Sequence, residues 1–485
     1  MNDMLKYANK TYSNIVIAII VEQEEIWFMP VKDTINMHYK KLLKAKFLAM
    51  NRDGCTLCIT VQPELEKVFV QEEIPTISLQ VLLSIVKEYK QDEFWYADLF
   101  SMHGLNYSSI TYSTSTLLCS SKKYFWKPLV VWCNECLEKI SVYGMEGILM
   151  KEIAVLPILH EIFDKDFHLD RRVYAEWRQM LEEKIAQAGL ENSLEAQQSV
   201  QKYRNRLIQF AEEKLYVGSD TDVVRCVFYQ IGTRTFRIST HHTNIQGFPT
   251  ELKHGLRPGN AGNVLVELDI AHSQIMLLAA LSEETKLLTY CENDFYCWMA
   301  TIFFQKEMET VTEKERLAAK RTLLMILNGA GQNALREDLD RQGFSYSFAE
   351  VTHMKNTFFQ AFPNIQQYWT NLQTADSYSL PTGMLWSGER IVDGYKRIAM
   401  ILQHLEAELL IDTLTASHEY LQSINAQVYL SIHDAIILEV PSGKDVEQLT
   451  KKMNKILLSC FLEIFPQYRP ISSDIQVKFK GGLLC

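Results

Sequence analysis

The chain has 485 residues, of which 47% are hydrophobic and 22% are charged, and its formal net charge is −10. This composition is typical of a globular protein of two or three domains, and it excludes a largely disordered chain. The negative net charge also excludes a protein that attracts nucleic acid with its whole surface, so any site for a polyanion has to be a local patch.

The first apolar run, IVIAIIV at residues 15–21, is too short to span a bilayer, and acidic residues follow it instead of a cleavage signal. We therefore expect a cytoplasmic protein with no membrane partner. The ten cysteines lack dense regular spacing and fit reduced thiols. Two C-x-x-C pairs, Cys55–Cys58 and Cys133–Cys136, contain the ligands for structural zinc, but they lie too far apart for a zinc ribbon, which disfavours zinc.

The N-terminal part of the chain, residues 1–160, predicts an α/β domain because strand-like and helical runs alternate in it. The strand-like runs are IVIAII, EEIWFMPV and CTLCITV, and the helical runs are MHYKKLLKAKFLAM and LQVLLSIVKEY. Two long, charged, amphipathic helices are predicted between residues 166 and 215. A turn-rich stretch, the strand NVLVELDI and mostly helical sequence follow, and the chain returns to helix before a C-terminal hairpin.

Asp269 ends the predicted strand NVLVELDI, at residues 263–270. The end of such a strand often faces a crevice in which chemistry takes place. Glu267 lies on the same face of the strand, and it is either a metal ligand or a solvated residue at the edge. The pattern leaves two interpretations of Asp269 open, namely a strand end and a site for chemistry.

The segment ETVTEKERLAAKRTLLMILNGAG predicts a helix with clear ends, since Thr312 and Glu315 form a capping box and Asn328-Gly329 is a helix stop. Arg316 and Lys320 lie one turn apart on it, and such a like-charge pair costs about 0.2–0.5 kcal/mol without an anion. A solvated basic face is one interpretation. A triphosphate site is the other, because both cations project from one rigid element.

The stretch YLSIHDAIILEV at residues 429–440 predicts two strands joined by a tight turn at His433-Asp434. Both residue types tolerate left-handed turn conformations, so the pair has an ordinary structural explanation. If Asp434 instead approaches Asp269, cations must lie between the two acids. Two divalent ions about 4 Å apart are the usual device for displacement at phosphorus, and magnesium suits an all-oxygen site.

These three elements, in this order, resemble the polymerase domain of family A DNA polymerases, the bacterial DNA polymerase I class. DIAHSQIMLLAALS matches the family motif D-Y-S-Q-I-E followed by L-A-H-L-S, and RLAAKRTLLMILNG matches the R-x-x-x-K helix that ends in Y-G. His433-Asp434-Ala435 matches the H-D-E hairpin. TRTFRISTHHTNIQGFP and FFQAFPNIQQYW resemble two further family segments, so that the likeness extends over roughly residues 165–485.

The resemblance implies an α/β (α+β) fold of the right-hand polymerase type, with palm, fingers and a short thumb. The thumb would cover about residues 161–225, the palm about 226–282 and 380–485, and the fingers about 283–379. Residues 1–160 would then be a degenerate 3′–5′ exonuclease-like domain. Its first strand offers only Glu22 and no Asp-x-Glu pair for that chemistry.

The resemblance further implies a DNA-templated DNA polymerase that extends a primer 3′ end by two-metal-ion nucleotidyl transfer, with primer–template DNA and nucleoside triphosphates as partners. Asp269 and Asp434, with the backbone carbonyl of Ile270, would hold two Mg²⁺ ions, for which Mn²⁺ can substitute. Lys320 would also donate a proton to pyrophosphate. The implied nucleotide-binding residues are Arg316, Lys320, Leu324, Gln274 and Asn328. The implied DNA-binding residues are Arg237, Asn244, Gln246, Gln403 and His433.

Departures from the family pattern keep other functions open. Gln274 replaces the glutamate that crowds the sugar 2′ position, Leu324 and Asn328 replace aromatic rings, and Ala435 replaces a second acid. A primase-like or template-independent nucleotidyltransferase with relaxed sugar choice is one alternative, and an inactive nucleic-acid-binding subunit is another. An unrelated two-aspartate metal hydrolase would leave the Arg-x-x-x-Lys helix unexplained. The sequence identifies neither a protein partner nor a biological role.

Overall fold

The computed structural model describes most of the chain, namely residues 14–21, 25–30, 40–52, 56–60, 63–86, 133–163, 165–191, 193–218, 221–224, 226–290, 294–387, 396–471 and 478–483. The strands are β1 Asn14–Val21, β2 Glu25–Pro30, β3 Lys40–Leu43, β4 Thr56–Thr60, β5 Thr76–Ser78, β6 Phe167–Leu169, β7 Val223–Val224, β8 Cys226–Tyr229, β9 Ser239–His242, β10 Leu256–Arg257, β11 Asn263–Ile270, β12 Ser377–Ser379, β13 Leu385–Ser387, β14 Gln427–Ile432, β15 Ala435–Pro441 and β16 Phe479–Leu483.

The labelled helices are α1 Lys44–Asn51, α2 Pro63–Gln71, α3 Leu79–Val86, α4 Glu146–Phe163, α5 Arg171–Ala188, α6 Leu194–Gln209, α7 Glu212–Leu215, α8 Thr250–Lys253, α9 Ser273–Leu281, α10 Thr285–Tyr290, α11 Phe295–Phe304, α12 Glu313–Leu327, α13 Gln332–Arg341, α14 Phe348–Ala361, α15 Pro363–Thr374, α16 Arg397–Ser423 and α17 Val446–Ile464. Residues 133–142 are also helical. No helix in the described part of the chain is both long enough and apolar enough to cross a membrane.

The N-terminal sheet has five strands in the order β3-β2-β1-β4-β5, with β1 parallel to β4 and antiparallel to β2. Strand β4 is buried along its whole length, as its continuous apolar run requires for a central strand. The predicted alternation of strands and helices is therefore confirmed. Glu22 lies outside the described residues, and the likeness to an exonuclease stays a prediction.

The helix predicted from MHYKKLLKAKFLAM is partly wrong, because Lys40–Leu43 form strand β3 and the helix begins only at Lys44. Strand β3 pairs antiparallel with β2 and extends the sheet at its edge. Pairing with a neighbouring strand thus overrides the local helical pattern, since strand formation depends more on context than helix formation does.

The second large sheet is antiparallel, with the strand order β14-β15-β11-β16. Most of its core residues are β-branched or leucine and are almost fully buried, as Leu265, Val266 and Leu268 of β11 illustrate. Helix α16, the longest in the described chain, packs against α4, α9 and α17. This packing fixes the end of β11 relative to the helix α9 that follows it.

Helix α4 connects the N-terminal part of the chain to α16. Lys151 Nζ lies 2.8 Å from Glu408 Oε2 and 2.7 Å from Asp412 Oδ2, both on α16. Gln230 Nε2 donates to Glu152 Oε2 at 2.7 Å. The predicted domain boundary near residue 160 falls inside this helix, and the division into domains stays a prediction.

Glu152 predicts a measurable pH dependence of stability. Burial raises its pKa to about 8, whereas an unfolded glutamate titrates near 4.5. Between these values the folded state binds more protons than the unfolded state, so stability falls as pH rises. The substitution Glu152→Gln should remove that loss. We expect the difference in melting temperature between Glu152→Gln and the wild type to grow by about 2 °C from pH 6 to pH 9.

The control is Glu146→Gln, in the exposed first turn of the same helix. Thermal unfolding followed by circular dichroism at pH 6, 7, 8 and 9 makes the comparison. Parallel pH profiles for wild type, Glu146→Gln and Glu152→Gln would contradict the prediction.

Candidate active site

The two predicted acids meet through the pairing of β11 with β15. This antiparallel register places Asp269 opposite Ala435, the residue that follows Asp434. The backbone N–H of Ile270 donates to the carbonyl oxygen of Asp434 at 3.2 Å. Two acids that are far apart in sequence are therefore neighbours at one end of the sheet.

The turn between β14 and β15 has the conformation that its residues suggest. His433 has φ 53° and adopts the left-handed region, which a β-branched residue would resist. Its side chain is exposed, and that of Asp434 is half-buried. Protein atoms around the imidazole, and then the Arg237 guanidinium, lower the pKa of His433. The imidazole is therefore neutral at neutral pH.

The acid pair carries negative charge that the surrounding protein only partly offsets. Although Asp269 is exposed, the protein packed around its carboxylate raises its pKa to about 6, and Asp434 and Glu267 add to this effect. Lys320 and Lys253 act in the opposite direction. Lys253 is also paired with Glu267, at 2.7 Å between Nζ and Oε1.

This donor set fits hard divalent cations. Magnesium binds oxygen ligands, keeps several water molecules and commonly uses only one or two protein carboxylates. Asp269 and Asp434 supply the carboxylates. Desolvation by the surrounding protein raises the pKa of Asp269, and repulsion by Asp434, which a cation would relieve, raises it further. In the described part of the chain, no three His, Cys, Asp or Glu side chains cluster so as to hold a metal. A site here would therefore need backbone carbonyl and water ligands as well.

The basic helix α12 has the predicted ends. The Thr312 side chain accepts from the Glu315 N–H, and the Glu315 side chain accepts from the Thr312 N–H, which completes the predicted capping box. The C-cap is Asn328, as predicted. Lys320 lies near enough to Asp269 for its positive charge to lower the pKa of that carboxylate.

Arg316 and Lys320 flank one aromatic ring. The Arg316 guanidinium carbon lies 5.9 Å from the centre of the Tyr296 ring, and Lys320 Nζ lies 5.2 Å from it. Arg316 also forms ion pairs with Asp294 and Glu313. Its charge is therefore held by protein acids in this structure, whereas the charge of Lys320 acts on Asp269.

A cavity of about 680 Å³ opens beside α12. This volume is in the range of pockets that bind small molecules and cofactors. Its lining includes the predicted nucleotide-binding residues Lys320, Leu324 and Asn328, together with Arg321, Met325 and Lys396. Three cationic side chains, Lys320, Arg321 and Lys396, thus border one cavity, a combination that suits a triphosphate.

The sequence and the fold both match one protein family. The family model for DNA polymerase family A matches residues 172–465, which is more than half of the chain. The chain belongs to DNA polymerase family A. The fold of this family A chain is also similar to the POL domain of Pol1 from M. smegmatis, solved in complex with DNA primer-template and dNTP. The TM-score is 0.73 at 12% identity, with 99% of this chain and 96% of that chain covered.

Curated relatives of this family A chain are DNA polymerases I from bacteria. It is 24% identical over 256 residues to DNA polymerase I of Caldicellulosiruptor bescii, which covers 47% of this chain and 29% of that protein. It is 25% identical over 259 residues to DNA polymerase I of Deinococcus radiodurans, which covers 49% of this chain and 27% of that protein. The matched region thus spans less than a third of the length of either relative.

The right-hand polymerase fold predicted from sequence is confirmed by the family match and by the likeness to the solved POL domain. The two long helices predicted between residues 166 and 215 are α5 and α6, which are capped by Asp170 and Ser193. The residue ranges of the thumb, the palm and the fingers remain predictions.

The predicted DNA-binding residues of the family A chain differ in their accessibility. The Gln246 side chain is buried, and its Nε2 donates to the Ser431 carbonyl at 2.9 Å. The Asn244 side chain caps a short 3-10 turn by accepting from the Gly247 N–H at 3.0 Å. Gln403 and Arg237 are half-buried. The structure therefore leaves Gln246 less available to DNA than its motif position suggests.

The sequence motifs did not single out three residues that lie near the site. Lys396 lines the cavity across from α12, and no motif singled it out. Ser273 Oγ lies 2.8 Å from Asp434 Oδ2 and also donates to Glu406. Glu406 was detectable in principle, because it is one of two acids in the largely apolar stretch IAMILQHLEAELLI of α16.

Proposed function

We propose that the chain is a DNA-templated DNA polymerase that adds nucleotides to a primer 3′ end by two-metal-ion nucleotidyl transfer. One observation carries the proposal: Asp269 and Asp434 are neighbours at the end of one sheet. The charge of Lys320, which lines a cavity of about 680 Å³, acts on Asp269. Binding of DNA alone would need cations but no converging acids. The same arrangement therefore speaks against an inactive nucleic-acid-binding subunit.

Known proteins support this choice of reaction and substrates. The similar solved domain is described in complex with DNA primer-template and dNTP. The curated relatives carry the name DNA polymerase I. Primer–template DNA and nucleoside triphosphates are accordingly the partners that we propose for this chain.

Asp269, Asp434 and the Ile270 carbonyl would hold two Mg²⁺ ions, for which Mn²⁺ can substitute. When bound, such ions lower the pKa of the attacking hydroxyl and neutralise charge on the phosphates. The other tasks belong to side chains of this protein. Lys320 binds the phosphates and donates a proton to the leaving pyrophosphate, while His433, neutral at neutral pH, steadies the primer end.

Arg316 has to exchange its partners for this role. In the structure its guanidinium is paired with Asp294 and Glu313, so a triphosphate must compete with two carboxylates. A phosphate group carries more charge than a carboxylate and accepts bidentate hydrogen bonds from arginine. Arg316 therefore leaves Asp294 and Glu313 when a triphosphate binds.

A primer-extension panel tests the proposed function. Purified protein is given a primer–template, the primer alone or the template alone, with four dNTPs and either Mg²⁺ or EDTA. We expect extension with the primer–template and Mg²⁺ only, and incorporation should follow the template base. Extension without a template would indicate a terminal transferase instead. Absence of extension in every reaction would contradict the proposal.

A second candidate concerns the sugar of the nucleotide, and Gln274 favours it. This residue lies in the first turn of α9, directly after the acid-bearing strand, and it is half-buried. An amide can both donate to and accept from a ribose 2′-hydroxyl, whereas a carboxylate can only accept. The residue at this position therefore affects the choice between dNTPs and rNTPs.

We predict that the wild type uses rNTPs measurably, and that Gln274→Glu raises the preference for dNTPs by about 10-fold in kcat/KM. The ratio is measured by single-nucleotide incorporation of dATP and ATP opposite a template T. Gln274→Ala is the control, because it removes the hydrogen bond without adding charge. An unchanged ratio in Gln274→Glu would remove Gln274 from sugar selection.

A further inference from the structure

Three side chains form a hydrogen-bonded chain behind the acid pair. The Ser273 hydroxyl lies 2.8 Å from Asp434 Oδ2 and within hydrogen-bonding distance of Glu406 Oε1. The Arg237 guanidinium donates to the other oxygen of Glu406, Oε2. Asp434 is thereby connected through Ser273 and Glu406 to Arg237.

The two middle residues of this hydrogen-bonded chain are buried. Glu406 is 1% exposed and Ser273 is 7% exposed. A buried carboxylate without a partner is strongly destabilising, and here the Arg237 guanidinium compensates it. The charge of Glu406 is therefore paired, and its contacts with Arg237 and Ser273 hold its side chain in place.

The hairpin itself offers little to orient Asp434. The next residue, Ala435, has no polar side chain, and it is paired with Asp269 through the backbone. The Ser273 hydroxyl has a single proton, which Glu406 Oε1 and Asp434 Oδ2 share in a three-centre hydrogen bond. This contact holds Oδ2 of Asp434 on the side of α9. The remaining oxygen, Oδ1, is then free to face a cation.

We propose that Ser273 and Glu406 are positioning residues that act as one unit: Glu406 holds the Ser273 hydroxyl, and Ser273 orients the Asp434 carboxylate for cation binding. This proposal rests on the proposed function, because it assumes that Asp434 is a metal ligand. Neither residue would be a ligand of the cation. Residues that orient a metal ligand typically affect metal affinity by about 10–100-fold.

Binding of Mn²⁺ to the protein without DNA or nucleotide tests the proposal. Free Mn²⁺ is measured by electron paramagnetic resonance during titration of each variant. We expect Ser273→Ala and Glu406→Ala each to weaken binding by about 10-fold. Because the two residues act as a unit, the double variant should be no weaker than Ser273→Ala within about twofold.

The conservative variant separates positioning from simple folding. Glu406→Gln keeps a side chain that can donate to Ser273 Oγ, which leaves the hydroxyl proton for Asp434. Its Mn²⁺ affinity should stay within about threefold of the wild type. Glu408→Ala is the control for loss of a buried acid on the same helix, since Glu408 is paired with Lys151 away from the acid pair. It should lower the melting temperature and leave Mn²⁺ affinity unchanged.

The outcomes separate this proposal from the proposed function. If Asp434→Ala binds Mn²⁺ as the wild type does, the metal assignment itself is wrong. If Asp434→Ala loses binding but Ser273→Ala retains it, only the positioning proposal is overturned. Should Glu406→Ala fail to fold, Ser273→Ala and Glu406→Gln still decide the question, because both preserve most of the buried contacts. If Glu406→Gln and Ser273→Ala lose the same Mn²⁺ affinity, the positioning proposal is also overturned.

Discussion

The substitution Asp434→Ala should reduce primer extension by about 10³-fold or more, with little effect on thermal stability. The expected loss is large because the reaction places negative charge on the attacking oxygen, the transferred phosphoryl group and the leaving group at the same time. With one carboxylate removed, Asp269 alone cannot hold two divalent ions in place. Single-turnover extension on a saturating primer–template, in Mg²⁺ and in Mn²⁺, measures the loss.

Asp434 is half-buried and lies in a turn, so its removal leaves the packing of β14 and β15 intact. It also relieves the repulsion that raises the pKa of Asp269. The fold should therefore be retained or slightly stabilised, as melting curves without metal would show. Asp340→Ala, an exposed aspartate of α13, is the matched control and should extend primers at the wild-type rate.

Wild-type activity in Asp434→Ala would contradict the metal assignment, and with it the two-metal mechanism. A loss of activity accompanied by a large drop in melting temperature would instead assign Asp434 a structural role. The Mn²⁺ titration distinguishes these cases, because loss of a metal ligand lowers cation affinity in a protein that is still folded.

The substitution Lys320→Ala should lower kcat/KM for the incoming nucleotide by about 10²–10³-fold, comparable to the loss of one positioned donor at a site of developing charge. Lys320 borders the cavity and its charge acts on Asp269, so its ammonium group is available to a triphosphate bound there. If Lys320 donates a proton to pyrophosphate, kcat should fall in addition to the rise in KM. Steady-state incorporation of one nucleotide gives both constants.

Lys314→Ala on the same helix is the control. Its Nζ lies 4.8 Å from the centre of the Phe344 ring, and it does not line the cavity, so its loss should leave both kinetic constants unchanged. Lys320→Arg preserves the charge but has a much higher pKa than lysine, so it should restore nucleotide binding better than kcat. Equal kinetics of Lys320→Ala and Lys314→Ala would exclude Lys320 from the site.

The features of the site that depend only on neighbouring residues could be predicted from the sequence. The turn at His433 needs a left-handed backbone, and the cap at Thr312 needs a hydroxyl three residues before an acid. Both requirements involve residues that are close together in the sequence, and the structure has both features. The two acids were suggested by motif order, while their approach follows from the register of β11 and β15.

Other features depend on partners that are distant in the chain. Strand β3 replaced a predicted helix because the edge of β2 was available for pairing. Gln246 was predicted to face DNA, yet its amide satisfies a carbonyl of β14 inside the protein. Lys396 borders the cavity because α16 begins beside α12, a proximity that no local pattern encodes.

The sequence by itself predicted the family, the order of most elements, the two acids and the basic helix, because each motif depends on short-range spacing. The tertiary structure alone decided which side chains complete the site. Ser273 and Glu406 became neighbours of Asp434 only when α9, α16 and the hairpin packed together. A hydrogen bond acts over about 3 Å, so its partners are defined by packing and not by distance along the chain.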